Sequence, residues 1–190
     1  MTIDRREFLM ATTLGAAAAM LPGMRDAQAA NLPGESRTDA ARRRLIVNAL
    51  GGLDDPNVES DSLVPSPTPR VLSEAHASGL GAVNVTLGYV SGAEDPFEAS
   101  VHDIAATDAL VRTHSQDLCK VLAAADIERA RDEGRIGLIY GFQNGAMLGD
   151  DVARVDVFAN LGVRVFQLTY NPANQLGDGS MAPGNRGLTP

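Results

Sequence analysis

Two pairs of neighbouring polar residues are the candidates for chemistry in this 190-residue chain. Gln143 and Asn144 directly follow one apolar run, and Tyr170 and Asn171 follow a later one, after Thr169. In parallel α/β barrels, catalytic and binding groups lie where the strands end at their carboxyl side. Each pair could therefore contribute site groups. The alternative is that they are ordinary loop residues that close a strand.

The three histidines and the single cysteine do not have the spacing of a metal or nucleophile site. His76 falls in a short predicted helix, and His102 and His114 fall in a longer helical region, so none follows a predicted strand. No two of them are four residues apart on one helix, so we expect surface or packing roles. Cys119 has no partner for an internal disulfide, and its apolar neighbours predict a small buried residue.

The pattern of apolar residues predicts strands that alternate with helices. Apolar runs that end in glycine or polar residues predict four strands: Leu45–Leu50, Ala82–Leu87, Ile136–Phe142 and Val163–Leu168. Capping residues and three-to-four spacing predict the helices: Thr68–Ser78, Asp95–Leu110, Ser115–Ala124, Asp126–Glu133 and Asp151–Leu161. Such alternation indicates parallel pairing with right-handed crossovers.

Four strand–helix units do not close an eight-stranded barrel, so the choice lies between an open doubly wound sheet and part of a barrel. The stretch after the first strand, Ala49–Gly52, lacks the glycine spacing of a phosphate-binding loop. We therefore predict an α/β fold that is the first half of a (β/α)8 TIM-type barrel, incomplete in this chain.

The amino terminus has the features of an export signal. Arg5 and Arg6 precede Phe8 and Leu9, an alanine-rich apolar stretch follows, and Ala27-Gln28-Ala29 offers small residues for a signal peptidase. The paired arginines resemble a twin-arginine signal. The alternative is an uncleaved amphipathic helix. We predict a twin-arginine signal peptide over 1–30, a leader over 31–44, a barrel segment over 45–190, and a periplasmic or secreted protein.

The charge of the chain argues against nucleic acid as a partner. The formal net charge is −8 at pH 7. Proteins that grip a phosphate backbone rely on clustered lysine and arginine, and the one short basic run is Arg42-Arg43-Arg44. We therefore expect no nucleic-acid binding.

Three segments of the chain resemble the renal (membrane) dipeptidase family of zinc peptidases. They read GRIGLIYGFQNG from Gly134, LGVRVFQLTYNPANQLGDG from Leu161, and GLTP from Gly187. Family members carry a similar strand, a Gly-x-Glu-Gly turn, a Gly-Val-Arg strand leading to Leu-Thr-His, and Gly-Leu-Thr. Weaker likeness extends back to about Leu45. The resemblance implies an N-terminal fragment of a barrel enzyme, with two further metal-binding histidines beyond Pro190.

The chain departs from the family's pattern at three places that the resemblance marks as site positions. Asn48-Ala49-Leu50 replaces the family's His-x-Asp, Gln143 replaces its bridging glutamate, and Tyr170 replaces the substrate-facing histidine. The amide of Gln143 can coordinate a metal weakly or hydrogen-bond a ligand, but it cannot neutralise two closely spaced dications. We therefore expect a divergent member with weak metal positions at Gln143 and Asn48. Asp55 and its neighbour Asp54 could replace the lost ligands if their loop folded back.

The resemblance implies a metallodipeptidase that cleaves dipeptides or related small amides with metal-activated water, with zinc as the expected cofactor. In that role Gln143 is the catalytic candidate that orients water or substrate, and the substrate-binding candidates are Tyr170, Asn171 and Asn144. The fragment alone is expected to be inactive. The expected partners are a small peptide substrate, the twin-arginine export machinery and a second copy in a full-length homodimer. The alternative is a non-catalytic exported binding protein that retains the barrel pocket.

Overall fold

A computed structural model describes residues 45–59, 66–184 and 186–189 of the chain. The predicted signal peptide and leader lie outside these residues. In the described ranges, no helix is both long enough and apolar enough to cross a bilayer.

Strands and helices alternate along the described chain. The five strands are β1 (Ile46–Gly51), β2 (Leu80–Leu87), β3 (Leu118–Lys120), β4 (Ile136–Phe142) and β5 (Val163–Phe166). The helices are α1 (Pro69–Ser78), α2 (Pro96–Thr113), α3 (Ala124–Asp132) and α4 (Arg154–Asn160), and a 3₁₀ turn covers Ala146–Leu148. All four predicted strands and four of the five predicted helices are confirmed, with boundaries that shift by a few residues.

All strand pairs are parallel, and each new long strand adds to the same side of the sheet. β1 pairs with β2, and β2 pairs with β4. The far edge of β4 is shared, because β3 pairs with its first half and β5 with its second half. A doubly wound sheet reverses its strand order at a switch point, whereas this sheet continues in one direction. The fold is therefore part of a TIM-type α/β barrel, as the sequence predicts.

The two faces of the sheet differ because side chains alternate along each strand. Toward the helices, the paired residues Val83 and Leu138 and the paired residues Leu87 and Phe142 are buried in the main apolar core. Phe142 lies edge-on to Phe158 of α4, with 4.9 Å between the ring centroids. The opposite face, which is the inner face of the partial barrel, carries smaller and more polar residues.

The predicted helix over Ser115–Ala124 is wrong. The long helix α2 ends at Thr113, and after a turn the chain forms strand β3, in which Leu118 pairs with Ile136 of β4. The four-residue spacing of Leu118 and Leu122 indicates a helix face, but Leu118 is fully buried while Leu122 is 49 % exposed. Only Leu118 is buried in the core. Pairing with β4, rather than the helical spacing of the two leucines, therefore determines the secondary structure of this segment.

Local capping explains where the helices begin. The hydroxyl of Thr68 accepts a hydrogen bond from the Val71 amide at the start of α1. Asp95 Oδ1 accepts hydrogen bonds from the amides of Phe97 and Glu98 at the start of α2, with distances of 3.0 and 2.8 Å. These side chains satisfy amides that have no partner within the helix. They fix the helices that cover the outer face of the sheet.

Candidate functional site at the carboxyl ends of the strands

A cavity of about 210 Å³ opens on the inner face of the sheet, near the carboxyl ends of its strands. Its walls come from β1, β2, β4 and β5 and from the residues that follow them. The lining residues are Ala49, Leu50, Asn84, Thr86, Gly141, Phe142, Gln143, Val165 and Gln167. Barrel enzymes place their active sites at this end of the strands. The cavity is therefore the candidate functional site of the described chain.

Gln143, the predicted catalytic candidate, lies on the cavity wall at the first position after β4. Its side-chain nitrogen Nε2 donates a hydrogen bond of 2.7 Å to the hydroxyl of Thr86 on β2. Thr86 pairs with Gly141 across the two strands, so the bond joins groups on the same face of the sheet. Because Thr86 binds only one N–H of the amide, the carbonyl oxygen Oε1 and the second N–H of Gln143 can both contact a ligand.

Asn84 lies two residues before Thr86 on the same face of β2. Its nitrogen Nδ2 donates a 2.8 Å hydrogen bond to the carbonyl oxygen of Ala49, which ties β1 to β2. Its oxygen Oδ1 is buried and has no hydrogen-bond partner in the described structure. A Cβ atom at Gly141 would overlap this oxygen, so the wall at this point requires glycine.

Gln167 contributes the cavity wall beyond β5. Its backbone amide donates a 2.8 Å hydrogen bond to the carbonyl oxygen of Phe142, which extends the parallel pairing of β4 and β5. Its side-chain nitrogen donates to the carbonyl oxygen of Thr169 at 2.7 Å. This bond shapes the backbone that leads into the next loop.

The sequence analysis missed Asn84, Thr86 and Gln167 as cavity residues. Each is a polar residue at an alternate position of an otherwise apolar strand or strand end. Val83, Val85 and Leu87 alternate with Asn84 and Thr86 in β2. Alternation of polar and apolar residues indicates a strand with one polar face, and that face can line a site. This alternation could have identified Asn84 and Thr86 from the sequence.

Asn144 does not line the cavity, because it is 1 % exposed and bonded inside the protein. Its Nδ2 donates to the carbonyl oxygen of Val90 at 2.8 Å. Its Oδ1 accepts from the amide of Ala146 at 3.0 Å and from Nδ2 of Asn174 at 2.7 Å. Asn144 therefore positions three loops in this structure, and no polar atom of its side chain faces a ligand.

Tyr170 and Asn171 lie in the loop that follows β5, outside the cavity lining. The carbonyl oxygen of Tyr170 accepts from the Ser180 amide at 2.8 Å. Oδ1 of Asn171 accepts from the Ser180 hydroxyl at 2.9 Å. Gly179 approaches the carbonyl oxygens of both residues so closely that a Cβ would overlap them. Hydrogen bonds within the loop hold both residues, and neither is among the residues that line the cavity with Gln143.

Two residues of this loop fasten it to the loop after β4. Asn174 bridges Asn144 Oδ1 and the carbonyl oxygen of Leu168, with 2.7 Å to each. Gln175 Nε2 donates to the carbonyl oxygen of Gly145 at 2.8 Å. These bonds fix the rim of the site without facing the cavity.

The side chains at this end of the sheet do not fit a centre of two divalent cations. Oδ1 of Asn48 accepts a hydrogen bond from the Leu50 amide at 3.1 Å, and the nitrogen of Gln143 is bonded to Thr86. Within the described ranges, no group of three or more histidine, cysteine, aspartate or glutamate side chains could hold a metal ion. A pair of dications needs anionic ligands, and the amides here are neutral.

Asp55 is occupied by local structure. Oδ2 accepts from the Thr68 hydroxyl at 2.7 Å, and Oδ1 accepts from the backbone amide of Asn57 at 3.0 Å and from Arg70 at 2.5 Å. These hydrogen bonds, led by that of Thr68, lower the pKa of the Asp55 carboxyl. The residue joins the loop after β1 to the start of α1. It therefore does not point a free carboxylate at the cavity.

The histidines lie away from the cavity. His76 is 3.2 Å from Asp117, and His114 is 3.0 Å from the Ser66 hydroxyl. His102 lies on α2 beside Glu98 at the outer surface. Cys119 is half-buried on β3, where burial raises the pKa of its thiol. The sequence predicts a buried Cys119, which is only half-buried here. It predicts surface or packing roles for the histidines, of which His76 and His102 are exposed and His114 is half-buried.

A family model described as membrane dipeptidase (peptidase family M19) matches residues 43–190. A comparison with curated protein sequences gives no match.

Among the solved structures that resemble the chain are the following three. An amidohydrolase from Pseudomonas aeruginosa has 28 % identity and a TM-score of 0.67, and the match covers 82 % of this chain and 42 % of that one. The probable dipeptidase PvdM from the same organism has 21 % identity and a TM-score of 0.57, with 74 % and 38 % covered. The dipeptidase AC, a metallopeptidase of family M19, has 12 % identity and a TM-score of 0.56, with 71 % and 45 % covered.

The chain spans less than half of the length of each of these structures. The two with the lower identities show the shared fold. The family model adds a sequence match over most of the chain. The protein therefore belongs to the membrane dipeptidase family, peptidase family M19.

Proposed function

We propose that the protein is an exported hydrolase of dipeptides or related small amides, and that residues 45–189 form one wall of its substrate pocket. Family membership gives the reaction class. The observation that carries the placement is the cavity at the carboxyl ends of β1, β2, β4 and β5, with Gln143 on its wall. Because the chain spans less than half of the matched structures, the activity is proposed for the whole protein.

The proposed reaction adds water across an amide bond. The water oxygen bonds to the carbonyl carbon, the carbon–nitrogen bond breaks, and the departing amine takes up a proton. None of the nine residues that line the cavity is ionisable, so this wall does not supply the group that deprotonates water. Its proposed task is to bind and orient the substrate.

Gln143 is the proposed substrate contact on this wall. Thr86 holds Nε2, which leaves Oε1 to accept a hydrogen bond from a substrate N–H or from a water molecule. Thr86 acts through Gln143 and is a positioning residue. A side chain whose rotamer is fixed before binding loses less entropy when the ligand arrives.

Tyr170 and Asn171 are proposed as contacts to a more distant part of the substrate. They follow β5 at the same end of the sheet, in a loop that Asn174 and Gln175 fasten to the loop after β4 through Asn144 and Gly145. Asn144 is proposed as a residue that positions this rim. Export by the twin-arginine machinery, a periplasmic or secreted location and a homodimer are proposals from the amino-terminal sequence and from the family resemblance.

A second function, non-catalytic binding, is favoured by one observation. The cavity carries amide and hydroxyl groups but no carboxylate or imidazole, and the described residues do not fit a metal centre. A protein with such a site could bind small amides in the periplasm without cleaving them.

The experiment is to purify the full-length gene product from the periplasm and to measure its metal content and its cleavage of L-Ala-L-Ala. We expect cleavage, and we expect Gln143→Ala to lower kcat/KM by at least about tenfold, because the variant loses a substrate hydrogen bond. The matched control is Gln116→Ala, which removes an exposed glutamine from the turn between α2 and β3.

The two functions give different results in this experiment. Hydrolysis that depends on Gln143 supports the hydrolase. A folded protein that is thermally stabilised by L-Ala-L-Ala but releases no alanine supports the binding function. A folded protein that neither cleaves nor binds small amides contradicts both.

A further inference from the structure

The end of β1 and the residue after β4 meet at the cavity, where the family resemblance implies a metal position. Ala49 and Leu50 of β1 line the cavity together with Gln143. The resemblance assigns a His-x-Asp pair to residues 48–50 and a bridging glutamate to residue 143, and the family match covers both strands. The ligands that the resemblance gives this position therefore all fall on described residues.

The side chains present at this position are not zinc ligands. Zinc in proteins is bound by cysteine, histidine, aspartate and glutamate, and none of the nine lining residues is of these types. Leu50 has no ligand atom, and Oδ1 of Asn48 accepts a hydrogen bond from the Leu50 amide at 3.1 Å. The cavity offers only neutral oxygens, which do not compensate the charge of a desolvated dication.

The two aspartates that follow β1 do not replace the lost ligands in the described structure. Asp55 is held by the Thr68 hydroxyl and by Arg70. Asp54 lines a different cavity of about 250 Å³, which lies between the helix side of the sheet and α2. The loop after β1 therefore does not bring either carboxylate to Gln143.

Gln143 differs from a bridging carboxylate in the number of its ligand atoms. A carboxylate can offer one oxygen to each of two cations, whereas an amide has one oxygen and carries hydrogens on its nitrogen. One of these N–H groups donates to the Thr86 hydroxyl at 2.7 Å. Gln143 therefore cannot join two cations.

We propose that the position between the ends of β1 and β4 binds no zinc, and that the full-length protein holds at most one zinc ion in this site, through ligands outside the described residues. The proposal rests on the proposed function in taking this cavity as part of the active site. Gln143 is then a substrate contact and Asn48 a structural residue, and neither is a metal ligand.

The test is the zinc content of the full-length gene product, which does not depend on turnover. The protein is saturated with Zn²⁺ and dialysed against a chelating resin to strip weakly bound surface zinc, and the zinc per chain is measured by mass spectrometry. We expect no more than one zinc ion per chain. We expect the same content in Gln143→Ala and in the control Gln116→Ala, because neither change removes a zinc ligand.

Two outcomes of this measurement overturn the proposal. The first is a second zinc ion that the wild-type protein retains after dialysis. The second is a zinc content that is lower by one ion in Gln143→Ala but unchanged in Gln116→Ala, with circular dichroism showing that both variants are folded.

A combined variant tests whether the ligand types are the cause. Asn48→His, Leu50→Asp and Gln143→Glu together restore the side chains that the resemblance assigns to this position, so we expect one zinc ion more than in the wild type. Gln143→Glu alone restores one ligand, and we expect no additional zinc after dialysis. A folded combined variant with the wild-type zinc content would contradict the assignment to these three side chains.

The same preparations separate this inference from the proposed hydrolase. Cleavage of L-Ala-L-Ala by a protein that retains two zinc ions supports the hydrolase and overturns this inference. A zinc content of at most one ion that Gln143→Ala leaves unchanged, without any cleavage, supports this inference while the proposed hydrolase fails.

Discussion

At the scale of single residues, Asp103 is a charged group in an unfavourable setting. It lies on α2, and its Oδ2 accepts a hydrogen bond from the Gly88 amide at 2.9 Å. Its Oδ1 is buried and has no partner in the described structure. Burial raises the pKa of this carboxyl. Asp103 holds the loop after β2 in place through this hydrogen bond, and the desolvation of its carboxylate destabilises the folded protein.

This setting predicts a pH-dependent gain in stability from Asp103→Asn. The asparagine side chain can still accept a hydrogen bond from the Gly88 amide, and the substitution removes the buried charge. The raised folded pKa means that the ionised wild type is destabilised above that pKa, and that the penalty disappears as the pH falls to the unfolded value near 3.8. We expect the variant to be more stable than the wild type at pH 7 and equal to it near pH 3.8. Urea denaturation at both pH values measures this. A gain that is the same at both pH values would contradict the role of the charge.

Gly141 shows how one residue fixes the cavity wall. A Cβ at this position would meet Oδ1 of Asn84, whose nitrogen is held by Ala49. We predict that Gly141→Ala destabilises the protein by about 1–3 kcal/mol, as overpacking usually does. The second change Asn84→Ala should relieve the overlap, so the double variant should lose less than the sum of the single losses. Additive losses in a denaturation cycle would exclude this contact as the cause.

The sequence predicts Gln143 as a site position because it follows an apolar strand, and the structure places it on the cavity. The sequence does not show that the Asn144 side chain is buried, because Gln143 and Asn144 are adjacent and equally polar. Whether an amide faces a ligand or ties loops together depends on partners far away in the chain. For Asn144 these partners are Val90 and Asn174.

At the scale of elements, local chemistry fixes the helices better than the short strands. The caps at Thr68 and Asp95 are readable from the sequence, and both helices begin beside them. Strand β3 is three residues long and is defined by its pairing with β4. Lys120 of β3 donates to Asp108 of α2 at 2.8 Å, which no local pattern indicates. Short strands depend on tertiary contacts, so sequence periodicity alone misassigns them.

The cap of α2 gives a prediction at this scale. Asp95→Ala removes the acceptor for two helix amides, and we expect a loss of about 1 kcal/mol in the free energy of unfolding. Asp95→Asn keeps an acceptor oxygen and should lose much less. Thermal or urea unfolding of both variants measures the difference. Equal losses would mean that the carboxylate charge rather than the cap matters.

At the scale of the whole molecule, the described sheet has one well-packed face and one open face. The helix side carries the core around Phe142 and Phe158. On β1 and β5, apolar residues remain exposed: Ile46, Val47, Leu50 and Val165. The parallel α/β architecture was predictable because alternating elements allow few topologies. The pairing of both β3 and β5 with the same edge of β4 was not, because it depends on strand lengths that only packing decides.

In this chain the strand ends carry neutral amides and a hydroxyl, and the described residues do not fit a metal centre. The central claim is that these groups form a substrate-binding wall with Gln143 as its contact. In this proposal the described wall binds the substrate and does not activate the water.

A crystal structure of the full-length gene product with L-Ala-L-Ala bound tests the role of Gln143 directly. We predict that the dipeptide lies in the cavity between β1, β2, β4 and β5, with one of its nitrogens about 3 Å from Gln143 Oε1, the distance of an N–H···O hydrogen bond. A ligand bound elsewhere, with no atom within about 4 Å of Gln143 or Thr86, would contradict the claim.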